Sequence, residues 1–196
     1  MPKRDDIQHS VLVVSASAQF NEIVGKSLPP GDRLSTDHLR SSSLARRYLL
    51  ERYYDLVIIN SPLPDETGLE AALDMAEQSH SSVLLVVPKD VYDGIAEQMA
   101  DVGVLVLAKP FTIRRMDSAI RFLLAAQNKM RALEKKVQKA EEKLEEQKTV
   151  NRAKFLLIEQ RKMTEDEAHR YIGKQAMDAG VSRGRAAQRI IEDLED

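Results

Sequence analysis

Nine lysine and arginine side chains fall between Arg152 and Ile191: Arg152, Lys154, Arg161, Lys162, Arg170, Lys174, Arg183, Arg185 and Arg189. Five carboxylates oppose them, Glu159, Glu165, Asp166, Glu167 and Asp178, leaving a local excess of four positive charges. Guanidinium and ammonium groups are the side chains that meet phosphate oxygens, and the planar guanidinium also reads base edges. A solvated helical face is the competing account of the same charges. Acidic residues Glu192, Asp193, Glu195 and Asp196 then crowd the end of the chain. A second chemical locus lies at Asn60 and Lys109, each closing a β-rich apolar run. An amide there is a poor nucleophile and brings no negative charge to a cation.

The elements that position these residues follow from hydrophobic patterning. Unalternated apolar runs at Val11–Val14, Leu56–Asn60, Val83–Val87 and Val104–Leu107, with a weaker one at Leu34–Asp37, read as strands buried on both faces. Amphipathic stretches separate them. Five strands alternating with helices predict an α/β, flavodoxin-like, doubly wound parallel sheet. Ligands of such sheets gather at the carboxyl ends of the strands, here Ser15-Ala16, Asn60, Val87-Pro88 and Ala108-Lys109-Pro110-Phe111.

From Thr112 to Val150 no proline or glycine interrupts the chain. Leu123, Ala126, Met130, Leu133, Val137, Ala140, Leu144 and Gln147 recur at alternating spacings of three and four, which predicts a coiled coil. With Met130 at position a of a parallel dimer, Lys129–Glu134 and Lys136–Glu141 attract across the seam while Lys143–Lys148 repel. Beyond Val150 the apolar pattern changes and predicts an all-α module of three short helices. The first spans about Arg152 to Arg161 with Ala153, Leu156 and Leu157 inward. The second opens at the capping-box spacing of Thr164 and Glu167, carries Ala168, Tyr171, Ile172 and Ala176 on its apolar face, and stops at Gly180. Ser182 is placed to cap the third, which buries Ala187, Ile190, Ile191 and Leu194. The expected divisions are therefore 1–122, 123–149 and 150–196.

Composition narrows the class further. With no cysteine, the chain has neither a disulfide framework nor thiolate metal ligands. The stretch MPKRDDIQHS is not an apolar signal segment, and no run approaches the roughly 18 apolar residues of a membrane span. A cytoplasmic protein without a membrane partner is expected.

The order of residues adds two resemblances. Lys109-Pro110-Phe111, with Leu63, Pro64 and Gly68 at their spacing from Asn60, resembles a response-regulator receiver. That resemblance implies that Asn60 stands at the phosphoacceptor position, that Ser15-Ala16 replaces the acidic metal-binding pair, and that Val87 replaces the hydroxyl after the fourth strand. Lys109 is the retained receiver lysine, expected to bond Asn60 or a nearby carbonyl. Asp65 and Glu66 lie beyond the strand end and are not expected to rebuild a metal site. The receiver-like domain is thus expected to be degenerate, without catalytic residues, bound metal or cofactor.

RAKFLLIEQRKMTEDEAHRYIGKQAMD, Arg152 to Asp178, resembles the ANTAR domain of AmiR- and NasR-type transcription antitermination regulators. The match lies in Ala153-Lys154, the leucine-rich turn after it, Thr164 to Ala168, and Gln175-Ala176-Met177. It implies RNA binding to hairpins of a leader transcript, with Arg152, Lys154, Arg161, Lys162, Arg170 and Lys174 as the phosphate and loop contacts. Many ANTAR domains carry a basic residue where this chain has Gly173. His169 and Tyr171 could stack on a base, although Tyr171 also suits the core, and Thr164, Glu167 and Ala168 have structural roles of their own. A homodimer would present two modules to one transcript. Two other readings compete: a DNA-binding factor using Val181–Ile191 as recognition helix, and a regulator whose receiver-like face docks a protein partner.

Overall fold

Val11 to Val14, Leu56 to Ile59 and Leu84 to Val87 have no solvent exposure, because each strand they form is covered on both faces. The computed structural model describes residues 9–29 and 34–195; the start of the N-terminal stretch, residues 1–8, and the final acidic residue, Asp196, lie outside these. Five parallel strands, β1 (His9–Val14), β2 (Leu34–Leu39), β3 (Leu56–Asn60), β4 (Ser82–Pro88) and β5 (Val104–Lys109), form one sheet in the order β2-β1-β3-β4-β5. This is the flavodoxin-like order. Register pairs Val11 with Leu56, Leu56 with Ser82, and Val83 with Val104, bringing the carboxyl ends of β1, β3 and β5 to one end of the sheet.

The helices are α1 (Ala18–Ser27), α2 (Ser42–Glu51), α3 (Leu69–Gln78), α4 (Lys89–Asp101), α5 (Ile113–Arg161), α6 (Glu165–Ala179) and α7 (Arg183–Glu195). The two-residue period of the strands sorts their side chains into two cores. Leu12, Val14, Val57, Ile59 and Leu85 meet Ala45, Ala71, Met75 and Met99 from α2, α3 and α4 on one face. Val11, Val13, Leu56, Ile58 and Leu84 meet Phe20, Val24, Met116 and Ile120 from α1 and α5 on the other. The edge strand β2 is only partly covered and reads Leu-Ser-Thr-Asp-His-Leu, which explains its weak apolar signal.

Two compact units divide between Met130 and Arg131, within α5. Two expectations change at this helix. Leu123, assigned by spacing to the coiled-coil seam, is buried in the sheet's second core beside Leu124. The helix that completes the cover of this sheet face keeps its apolar side on the sheet through that turn, so the outward stripe begins later. The segment Arg152–Arg161 is not a separate helix but the end of α5, which runs unbroken for 49 residues. The change of apolar phase near Val150 redirects the buried face without a helix-breaking residue. Along the intervening stretch Met130, Leu133, Val137 and Leu144 are 54%, 46%, 56% and 53% exposed. No helix among the described residues is long and apolar enough to cross a membrane.

Candidate nucleic-acid interface and strand-end site

At the sheet's carboxyl end, Asn60 Nδ2 donates to Ser15 Oγ at 3.0 Å, and that hydroxyl in turn accepts from Ser17 N–H at 3.1 Å. Ser15, Asn60 and Ser61 are all buried, and Asn60 Oδ1 finds no hydrogen-bond partner. Lys109 does not reach Asn60; its Nζ donates to the Ser61 carbonyl at 2.6 Å. Burial lowers the pKa of its ammonium. Val87 is fully buried and supplies no hydroxyl. The groups that converge here are therefore an amide, two hydroxyls and a cation. A carboxylate nucleophile and the acidic ligands that hold a divalent cation are what phosphoryl transfer requires. Among the described residues, no group of three or more His, Cys, Asp or Glu side chains is arranged to hold a metal.

The two nearby acids are engaged elsewhere. Asp65 accepts from Ser42 N–H and Ser43 N–H at 3.1 Å and from Ser42 Oγ at 2.8 Å, at the N-terminus of α2. Desolvation pushes its carboxyl up, but the bonds from Ser43 and Ser42 together outweigh that and bring its pKa to about 2. Glu66 pairs with Arg46 Nη1 at 2.9 Å, and Arg46 Nη2 reaches Asp74 at 2.9 Å. The loop is thereby tied to α2 and α3 by charged hydrogen bonds. Gly68 ends it at φ 84°, and a Cβ there would meet Ile59 Cγ2 at 3.2 Å.

In the second unit the last turns of α5 pack with α6 and α7 through Ala153, Leu157, Ala168, Ile172, Ala187, Ile190 and Ile191. Both halves of the capping box form: Thr164 Oγ1 accepts from Glu167 N–H at 3.3 Å, and Glu167 Oε2 accepts from Thr164 N–H at 2.8 Å. Gly180 closes α6 at φ 62°, and Ser182 Oγ accepts from Arg185 N–H at 3.2 Å at the start of α7.

The six cations expected to contact RNA separate into distinct environments. Arg152 bonds Glu195, and Lys154 Nζ lies 2.9 Å from Glu165 Oε1 with only 18% of its side chain exposed. The hydrogen bond and charge of Lys154 hold the Glu165 carboxyl below its usual range. Arg161 lies over the Tyr171 ring, 5.6 Å from its centroid, and donates to Tyr171 Oη at 3.0 Å. Tyr171 itself is partly buried against the module core. Lys162 follows α5 at φ 56°. Arg170 donates to the Asp166 carbonyl at 3.3 Å. Arg170 and Lys174 line a concavity with His169, Gly173, Met177 and Arg183. Charge counting includes Arg183 in the basic set but does not single it out, since its approach to α6 depends on the turn between α6 and α7. Met177, 84% exposed, carries no charge to attract notice.

Comparison with known proteins fits this two-part geometry. The ANTAR domain model matches residues 138–191. The transcriptional regulatory protein PdtaR of Mycobacterium tuberculosis is 33% identical over 141 residues, covering 71% of this chain and 68% of the relative. The first unit is similar in fold to the signal receiver domain of an HD domain-containing protein from Pseudomonas fluorescens Pf-5, with a TM-score of 0.57 and 21% identity over 64% of this chain and 93% of that one. A structure of adenylate cyclase from Rhodopirellula baltica gives a TM-score of 0.59 at 15% identity over 68% of this chain and 99% of that one, a likeness of fold alone. With residues 138–191 matching the ANTAR domain model and a transcriptional regulator 33% identical across 71% of the chain, the chain belongs to the ANTAR-domain transcription antitermination response regulators.

Proposed function

We propose that this protein is an RNA-binding antitermination regulator that acts as a homodimer on hairpin leader RNA without phosphorylation of its own. It is a regulator and not an enzyme, working in the cytoplasm. The ANTAR match over residues 138–191, coinciding with the basic module, is the observation that carries this reading. Loops expose unstacked bases, whereas the deep major groove of paired RNA is closed to side chains. Arg152, Lys154, Arg161, Lys162, Arg170 and Lys174 remain the proposed contacts, the first three exchanging intramolecular partners for phosphate as RNA arrives. The exposed stripe Met130, Leu133, Val137 and Leu144 is the proposed dimer seam, within a linker between a receiver-like domain and the three-helix module.

Binding to a tandem-hairpin RNA, followed by fluorescence anisotropy across a salt series, tests the reading. Affinity should fall steeply with salt as counterions are displaced from phosphates. A duplex DNA competitor should not displace the RNA. Unchanged binding after neutralising Lys154 and Arg161 together would remove the proposed surface.

A further inference from the structure

We propose that the concavity between α6 and the start of α7 receives a single unstacked nucleobase of an RNA loop, seated on the bare helix surface at Gly173. The proposal rests on the reading of the module as RNA-binding and names where a base is held. His169, Gly173 and Met177 follow one another at intervals of four along α6, so they form one line on its surface. A Cβ at Gly173 would find only Arg183 Nη2, at 3.9 Å, so the middle of the line is open. An interior glycine weakens a helix, and this one fills no packing need within the module.

The lining of the opening suits a flat aromatic ring. Met177 is 84% exposed, with a polarisable thioether suited to aromatic contact, and His169 lines the same concavity with a ring able to stack on a base. Arg170, Lys174 and Arg183 border the same concavity, and none of them has a carboxylate within ion-pair distance among the described residues. Arg152 and Lys154 contrast with them, each already held by a glutamate. Unpaired cations around an exposed apolar spot match a base with its flanking phosphates better than an aliphatic peptide.

The probe is a tandem stem-loop RNA whose loops are enriched from a randomised pool on the full-length protein. Each loop base is then replaced in turn by an abasic site. For the wild-type protein one abasic position should weaken binding roughly tenfold or more. Gly173→Leu, which fills the opening while favouring helix, should bind intact and abasic RNA equally, both at the weakened level. Met177→Ala should reduce the discrimination partway, and thermal melting controls for folding of both variants. A Gly173→Leu protein that still discriminates the abasic loop as wild type does overturns the base-binding site while leaving RNA binding intact. Failure of any stem-loop to enrich on the wild-type protein overturns this site and the RNA-binding reading together.

Discussion

Asn60 and Ser15 are joined by a buried 3.0 Å hydrogen bond at the position where strands β1 and β3 end side by side. The amide nitrogen needs the serine oxygen, and Lys109 is occupied with the neighbouring Ser61 carbonyl. The pair fills its site with neutral groups, a state without the negative charge that gathers a divalent cation.

Asn60→Asp alone therefore leaves the protein unmodified by acetyl phosphate and magnesium, as is the wild type. Intact-mass spectrometry after incubation reads this directly. An acid-stable spectrum with no phosphoryl adduct is expected for both, and a stoichiometric adduct on the variant would show that a metal site exists without the acidic pair.

Asp65 gives a pH signature. Its pKa lies at about 2 in the fold against 3.8 for the free group, so its contribution is complete above about pH 4 and is lost as pH falls through the folded value. Asp65 is exposed, and screening reduces the contribution to below ~1 kcal/mol. Asp65→Asn should lower stability in urea by that amount near neutrality. The difference from wild type should shrink to nothing toward pH 2.

Gly68 occupies left-handed backbone and has Ile59 Cγ2 at 3.2 Å from where a Cβ would stand. Gly68→Ala should destabilise the first unit by about 1–3 kcal/mol, combining conformational strain with crowding. Chemical denaturation followed by circular dichroism measures it, and a loss below a few tenths of a kcal/mol would mean the loop relaxes freely.

Thr164→Ala removes one arm of a capping box whose two bonds are both formed. A loss of about 1 kcal/mol is expected, confined to the C-terminal module. Hydrogen exchange should report faster opening in α6 and unchanged protection in β1 and β3.

Val137 is 56% exposed at the middle of the apolar stripe on α5. Val137→Asp should weaken the proposed dimer at least tenfold in sedimentation velocity, since a charge at an a position must be desolvated. Sedimentation of wild type as a monomer at tens of micromolar would exclude this seam.

What was legible in the sequence are features whose physics is local. Strands β1, β3, β4 and β5 announce themselves because burial on both faces demands consecutive Val, Leu and Ile, and the Thr164–Glu167 cap is complete within four residues. The substitution at Asn60 follows from spacing along one loop. Tertiary structure decided matters that depend on distant partners. Lys154 is neutralised by a glutamate eleven residues away, Arg161 rests on Tyr171, and Asp65 caps a helix that precedes it by twenty-three residues. Leu123 joined the sheet's core where spacing had assigned it to the seam, because one helix serves two surfaces and period alone does not say where burial passes from one to the other. The meeting of Arg183 with Gly173 is of the same kind: the turn at Gly180 sets the approach of α7 to α6, and only a folded chain brings a cation over that bare stretch of helix.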